Sequence, residues 1–60
     1  MDRAIIKKVE QIAGYREKYV LNNLKSIRLV QCDSVYRVYR FTSRDGFSFE
    51  YEKNTNRITG

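Results

Sequence analysis

Residues 35–53 read VYRVYRFTSRDGFSFEYEK. Apolar and polar side chains alternate on both sides of Arg44-Asp45-Gly46, which is the period of two half-buried strands joined by a turn. We expect a three-residue turn in which Gly46 takes the left-handed conformation. The register that follows pairs three sets of residues across the turn: Phe41 with Phe49, Tyr39 with Tyr51, and Arg40 with Glu50. Such cross-strand pairs contribute about 0.2–1 kcal/mol each, which favours this register over its neighbours.

The same two-residue period continues outside this hairpin. It predicts strands at about residues 26–31, 35–42 and 47–53, with residues 57–59 as a short fourth strand or a tail. We expect three residues between Gln31 and Val35, which places Ile27 opposite Tyr39 and Leu29 beside Arg37. One face of the sheet then carries the apolar side chains: Ile27, Leu29, Val35, Tyr39, Phe41, Phe49 and Tyr51.

The first third of the chain has the period of a helix. The apolar residues that recur at spacings of three and four are Ile5, Val9, Ile12, Ala13 and Val20. Arg16 falls within the same arc, and Gly14 costs a helix interior about 1 kcal/mol relative to Ala. Either the helix bends at Gly14, or Arg16 extends along the edge of the core with its charged end in water. We favour one helix over residues 3–23 with Asp2 as its N-cap.

These elements predict an α+β fold. One N-terminal helix packs on a three-stranded antiparallel meander, in the order α-β-β-β. A short fourth strand at the C-terminus is an alternative to a tail. A chain of 60 residues has room for a single domain, residues 1–60.

The order of these elements, together with residues 49–58, resembles a PepSY-type module. Such modules end in an aromatic strand, a Thr-Gly turn and an aliphatic residue, and here Phe49 and Tyr51 precede Thr55, Asn56 and Ile58. Asn56 stands where the module has its turn glycine. The resemblance implies the topology, and we attach no function to it.

The composition makes several chemistries unfavourable. The chain has no His and one Cys, Cys32, so it lacks the ligands of a zinc site, the base of a His-dependent enzyme and the partner for an internal disulfide. Glu50 and Glu52 share one face of a predicted strand about 6.5–7 Å apart, a spacing compatible with acid–base catalysis. Arg40 lies opposite Glu50, however, which favours ion pairing. We expect no enzymatic activity, no metal and no cofactor.

The charge points to an anionic partner. The chain carries 12 Lys and Arg against 7 Asp and Glu, a net charge of +5. Most of the excess lies in residues 1–31, which have seven basic and three acidic residues. No apolar run approaches the roughly 20 residues of a membrane span, and no secretory signal is evident. We therefore expect a cytoplasmic protein that meets nucleic acid or an acidic protein surface, and no membrane.

Two surfaces are candidates for this contact. A ridge on the exposed side of the helix consists of Lys7, Gln11, Lys18 and Asn22, with Lys8 and Tyr15 alongside. The outer face of the sheet contains Arg28, Val30, Tyr36, Val38 and Arg40. Lys and Arg bind phosphates and Tyr stacks on unpaired bases, so the nucleic-acid-binding residues would be Lys7, Lys8, Lys18, Arg28, Tyr36 and Arg40.

An alternative is a protein-interaction module. Val30, Tyr36 and Val38 form an apolar strip flanked by Arg, which is the composition found at the centre of protein interfaces. The protein would then be a small regulator or inhibitor that binds a foreign partner or forms a homodimer. Solubility alone also explains exposed Lys, and Glu50 and Glu52 offset part of the positive charge of the sheet face.

Overall fold

The computed structural model describes residues 3–60, and its elements follow one another without crossovers. They are α1 (Arg3–Ile12), α2 (Tyr15–Asn22), β1 (Leu24–Cys32), β2 (Arg37–Ser43), β3 (Ser48–Glu52) and β4 (Arg57–Thr59). The strands form one antiparallel sheet in the order β1-β2-β3-β4. The predicted α+β class and meander are confirmed, and the fourth strand is present. The predicted single helix is wrong, and its N-cap, Asp2, lies outside the described residues.

The helix is interrupted at Gly14. This residue has φ −87° and ψ −168°, an extended conformation, and its N–H donates to Oε1 of Glu17 at 2.8 Å. A Glu at the third helical position commonly accepts this bond and so starts a new helix. An uninterrupted helix would have held Arg16 in the same arc as the buried apolar residues. After the break Arg16 is exposed, and its Nη2 donates to the carbonyl oxygen of Gly60 at 2.5 Å.

The core lies between the helices and the inner face of the sheet. Its buried residues are Ile5, Val9, Val20, Phe41, Phe49 and Tyr51. The rings of Phe41 and Phe49 are stacked, with centroids 4.9 Å apart. The hydroxyl of Tyr51 donates to Oδ1 of Asn56 at 2.6 Å, so this buried ring keeps a polar partner. The predicted inward direction of these three rings is confirmed.

The β2–β3 hairpin has the predicted register. Phe41 pairs with Phe49, Tyr39 with Tyr51 and Arg40 with Glu50. Gly46 has φ +94°, and the N–H of Ser43 donates to the carbonyl of Phe47 at 2.8 Å, which closes the three-residue turn.

The β1–β2 hairpin differs from the prediction. Ile27 lies opposite Phe41, not opposite Tyr39, and Leu29 takes the place opposite Tyr39. The register shifts between Leu29 and Gln31, where Val30 is the extra residue of a bulge. A bulge changes which residues oppose one another, and strict alternation along the sequence does not show it.

The loop between these strands explains the late start of β2. Oδ1 of Asp33 accepts the N–H groups of Val35 at 2.8 Å and Tyr36 at 2.6 Å. Asp side chains commonly bind backbone groups two or three residues on and so compete with strand pairing. Val35 therefore lies in the loop, 58% exposed. Val35 and Leu29, both expected beneath the helix, are exposed, as is Ile12 at the end of α1.

The turn between β3 and β4 contains a left-handed residue. Asn56 has φ +57°, a conformation that Asn and Gly adopt at lower cost than other residues.

Candidate functional site

Two cross-strand rows define the outer face of the sheet. Arg28, Arg40, Glu50 and Thr59 are neighbours across β1–β4, and we call them the Arg28 row. Gln31, Val38, Glu52 and Arg57 are neighbours in the same way and form the Val38 row. Residues paired directly across strands project from the same face. Since the adjacent residues Phe41 and Tyr51 project into the core, both rows face away from the helices.

A shallow depression of about 480 Å³ lies over these rows. Val30, Tyr36 and Thr55 line it together with most of the two rows. Val30 is 42% exposed and Tyr36 is 45% exposed. The structure thus brings together four of the sheet residues expected from the sequence, Val30, Tyr36, Val38 and Arg40, with Arg28 directly across from Arg40.

The charges of this face are unequally paired. Arg40 binds Oε2 of Glu50 through Nη2 at 2.8 Å and through Nε at 3.1 Å. Arg28 and Arg57 have no ion pair within residues 3–60. Because like charges directly opposite one another in a sheet are destabilising, the position of Arg28 across from Arg40 costs free energy of folding.

Glu52 has a structural role that the sequence analysis missed. Its carboxylate accepts the hydroxyl and the N–H of Thr55, both at 2.6 Å, and the N–H groups of Asn54 at 3.0 Å and Arg37 at 3.1 Å. The bond from the Thr55 hydroxyl is the largest cause that lowers the pKa of Glu52 to about 2, with the backbone donors adding to it. The carboxylate therefore stays ionised and holds the β3–β4 turn against the start of β2.

The two loops at this end of the sheet are joined. Nδ2 of Asn54 donates to the carbonyl oxygen of Val35 at 2.5 Å. On the other side of Tyr36, the N–H of Asp33 donates to the Tyr36 carbonyl at 2.9 Å. Hydrogen bonds to the N–H groups of Tyr36 and Val35 lower the pKa of Asp33. Tyr36 is consequently presented on a backbone that is anchored at several points.

Arg57 and Thr59 belong to the face, although the sequence analysis did not select them. Both line the depression, and Ile58 between them lies opposite Tyr51 and packs against the core. The alternation Arg57-Ile58-Thr59, polar-apolar-polar, was the signal for their direction. Three residues are nevertheless too few to establish a strand from sequence alone.

The helix lysines lie on the other side of the molecule. Lys7 and Lys8 are exposed on α1 and Lys18 is exposed on α2, so the break at Gly14 divides the expected ridge between two helices. Lys18 shares a hollow of about 190 Å³ with Glu10, Leu21 and Asn22. Glu10, an acidic residue, therefore lies beside Lys18. The ridge predicted on a single helix contained no acidic residue.

The fold and site together define an α+β protein with an antiparallel meander, two helices on one face and an open, mixed basic and apolar face on the other. Neither helix of the described residues combines the length and apolar character needed to cross a membrane. Comparison with protein-family models, curated proteins and solved structures finds no match to this chain.

Proposed function

We propose that the protein binds nucleic acid on the outer face of its sheet, with Arg28, Arg40 and Arg57 in contact with phosphates. The observation that supports this most directly is the position of Arg28 opposite Arg40, whose one carboxylate partner, Glu50, lies on the far side of Arg40 from Arg28. A phosphate beside Arg28 supplies the missing negative charge. Binding then removes a repulsion that the free protein retains and releases counterions from the nucleic acid.

The two carboxylates of this face are compatible with the proposal. Glu50 is paired with Arg40, and the oxygen atoms of Glu52 are directed to the donors of the β3–β4 turn. The net charge of +5 over the whole chain attracts a polyanion at long range and speeds association at low salt.

The lysines of the helices contribute less directly in this proposal. Lys7, Lys8 and Lys18 lie on the side opposite the Arg28 row, so one extended strand does not contact both surfaces at once. They raise the positive potential around the protein and form a secondary, non-specific contact. Their removal is therefore expected to slow association and leave the main contact in place.

The test compares two double variants with the same loss of charge. Fluorescence anisotropy measures binding to a labelled oligonucleotide of mixed sequence from about 50 mM to about 200 mM salt, the range in which phosphate contacts weaken. Arg28→Gln with Arg57→Gln is expected to lower the slope of log K against log salt by about 1.4–1.8, which corresponds to two phosphate contacts. Lys7→Gln with Lys18→Gln serves as the matched control and is expected to change the slope less.

Two results would contradict the proposal. A wild-type protein that shows no salt-sensitive binding to any DNA or RNA does not have this function. If the Lys7 and Lys18 variant loses as much of the slope as the arginine variant, nucleic acid is bound, but not on the sheet face.

A protein-interaction module remains the second candidate, because Val30 and Tyr36 expose apolar surface beside Val38 in the same depression. The partner would be an acidic protein surface or a second copy of the chain. Light scattering over a range of concentrations tests the homodimer. Tyr36→Ala with Val38→Ser is expected to reduce the mass if the strip forms the dimer, and a wild-type monomer at high concentration removes that version.

A further inference from the structure

Building on the function proposed above, we infer that the open face takes single-stranded RNA, with one base stacked on Tyr36, the phosphates beside Arg28 and Arg57, and a ribose hydroxyl at Glu50 and Thr59. Three features of the face support this assignment: its shape, the fixed position of Tyr36 and an unoccupied acceptor on Glu50.

The shape of the face disfavours a duplex. Proteins read the major groove with an element that protrudes into it, a helix or a two-stranded ribbon. The outer face here is a depression of about 480 Å³ with Val30 and Val38 in its lining. The phosphates of a duplex would leave this apolar surface uncovered, whereas the faces of unpaired bases cover it. Sequence-specific recognition of RNA relies mainly on such unstacked bases.

The backbone of Tyr36 is anchored at the edge of the depression. Its N–H donates to Oδ1 of Asp33 at 2.6 Å, and its carbonyl accepts the N–H of Asp33 at 2.9 Å. The ring is nevertheless 45% exposed and lines the depression. Because the backbone is already ordered, stacking of a base costs only the freedom of the side chain, so more of the stacking free energy appears as affinity.

The Arg28 row carries donors at one end and acceptors at the other. Both bonds from Arg40 end on Oε2 of Glu50, and Oε1 has no hydrogen-bond partner in the described part of the chain. Thr59 lies directly beside Glu50 on β4, and its hydroxyl also has no partner within residues 3–60. A carboxylate oxygen repels phosphate, but it accepts a hydrogen bond from a hydroxyl.

The length of the Arg28 row suits an RNA strand that crosses the sheet perpendicular to the β-strands. Three strand spacings separate Arg28 from Thr59, about 14 Å between backbones. A chain of nucleotides that crosses the row meets arginine donors on β1 and β2, and then acceptors on β3 and β4. The 2′-hydroxyl is the group that distinguishes RNA from DNA at such a position, so the acceptor end favours RNA.

The experiment compares four labelled probes of one sequence at a fixed low salt concentration: an RNA octamer, the DNA octamer, and the RNA and DNA duplexes. Fluorescence anisotropy is expected to give the tightest binding to the RNA octamer and the weakest to the duplexes. Tyr36→Ala is expected to weaken RNA binding roughly 5- to 150-fold, as loss of one stacked base implies. Tyr36→Phe keeps the ring and is expected to bind as the wild type does.

Thr59→Val tests the acceptor end, because Val has the same branched shape and suits a strand. This variant is expected to reduce the preference for RNA over DNA and to leave the affinity for the DNA octamer unchanged. Circular dichroism of each variant verifies the fold, so a change in affinity is separable from unfolding.

Each outcome bears on a different part of the inference. Equal affinity for the RNA and DNA octamers would overturn the ribose contact, and tighter binding to either duplex would overturn the single-stranded assignment while leaving the proposed function in place. If none of the four probes binds, the proposed function fails as well. In that case an increase of mass with concentration that Tyr36→Ala with Val38→Ser abolishes would assign the face to a second copy of the protein.

Discussion

Replacing Arg28 with Glu is expected to stabilise the fold and weaken nucleic-acid binding at the same time. Arg28 lies directly opposite Arg40, where a like-charge pair is destabilising and an opposite-charge pair contributes about 0.2–1 kcal/mol. Arg28→Glu replaces the like-charge pair with an opposite-charge pair. Because the Arg40 side chain is 51% exposed and already shared with Glu50, solvent screening reduces the gain to about 0.5 kcal/mol.

Urea unfolding at low salt, followed by circular dichroism, measures this effect. With a slope of about 1 kcal/mol per molar urea, a gain of that size raises the midpoint by roughly 0.5 M. The gain is expected to disappear near 1 M salt, where charges a few ångströms apart are screened. Lys8→Glu on α1 is the control, since it produces the same change in net charge on the other side of the molecule.

The affinity for nucleic acid is expected to fall while the stability rises. Arg28→Glu is expected to weaken the complex with the RNA octamer and to reduce its salt dependence, and Lys8→Glu to do so less. A variant that is less stable than Lys8→Glu would show that Arg28 and Arg40 do not face one another. A variant that is more stable and binds equally well would show that the pair has no role in the contact.

Three further predictions concern the scaffold. Gly46→Ala is expected to cost about 1–2 kcal/mol of unfolding free energy, because the φ of Gly46 is +94°, even though the added Cβ meets no atom. Gly14→Ala is the comparison in the same thermal denaturation experiment and should cost less, because the φ of Gly14 is −87°. Tyr51→Phe is expected to cost about 1 kcal/mol through its lost bond to Asn56, and a larger loss in urea unfolding would contradict a single hydrogen bond. The folded state lowers the pKa of Glu52 to about 2 from about 4.3 in an unfolded chain. The contribution of ionised Glu52 to the free energy of unfolding is therefore complete above about pH 4.3 and is lost as the pH falls towards 2. Over that window the urea midpoint of Glu52→Gln should decline less steeply with falling pH than that of the wild type, and an equal decline would refute this assignment.

The β2–β3 hairpin was predictable because its determinants are local. A left-handed glycine sets the turn, and the turn sets which residues oppose one another. Once Phe41 is placed opposite Phe49, alternation assigns every neighbouring side chain to the inner or the outer face. The contact between the stacked rings then supports the register that the turn already specifies.

The helix break and the first hairpin were not predictable in the same way. The cost of Gly14 in a helix is about 1 kcal/mol, too small to decide between a bend and an exposed path for Arg16. The bond that Arg16 donates to the Gly60 carbonyl connects residues far apart in the chain. In the first hairpin, the bulge at Val30 and the loop around Asp33 add residues between the paired positions, and the alternation of apolar and polar residues does not reveal them.

The class of the fold, the central hairpin and the open face with arginine and tyrosine depend on composition and on neighbours within a few residues, so they were predictable. Which charges meet on that face depends on how distant strands align. With Ile27 opposite Tyr39, as expected from the sequence, Arg28 would have lain opposite Val38; the observed pairing of Ile27 with Phe41 places it opposite Arg40. The pairing of β4 likewise brings Thr59 to Glu50. Such long-range alignments depend on how a bulge, a loop and the core are accommodated together, and no short segment specifies them.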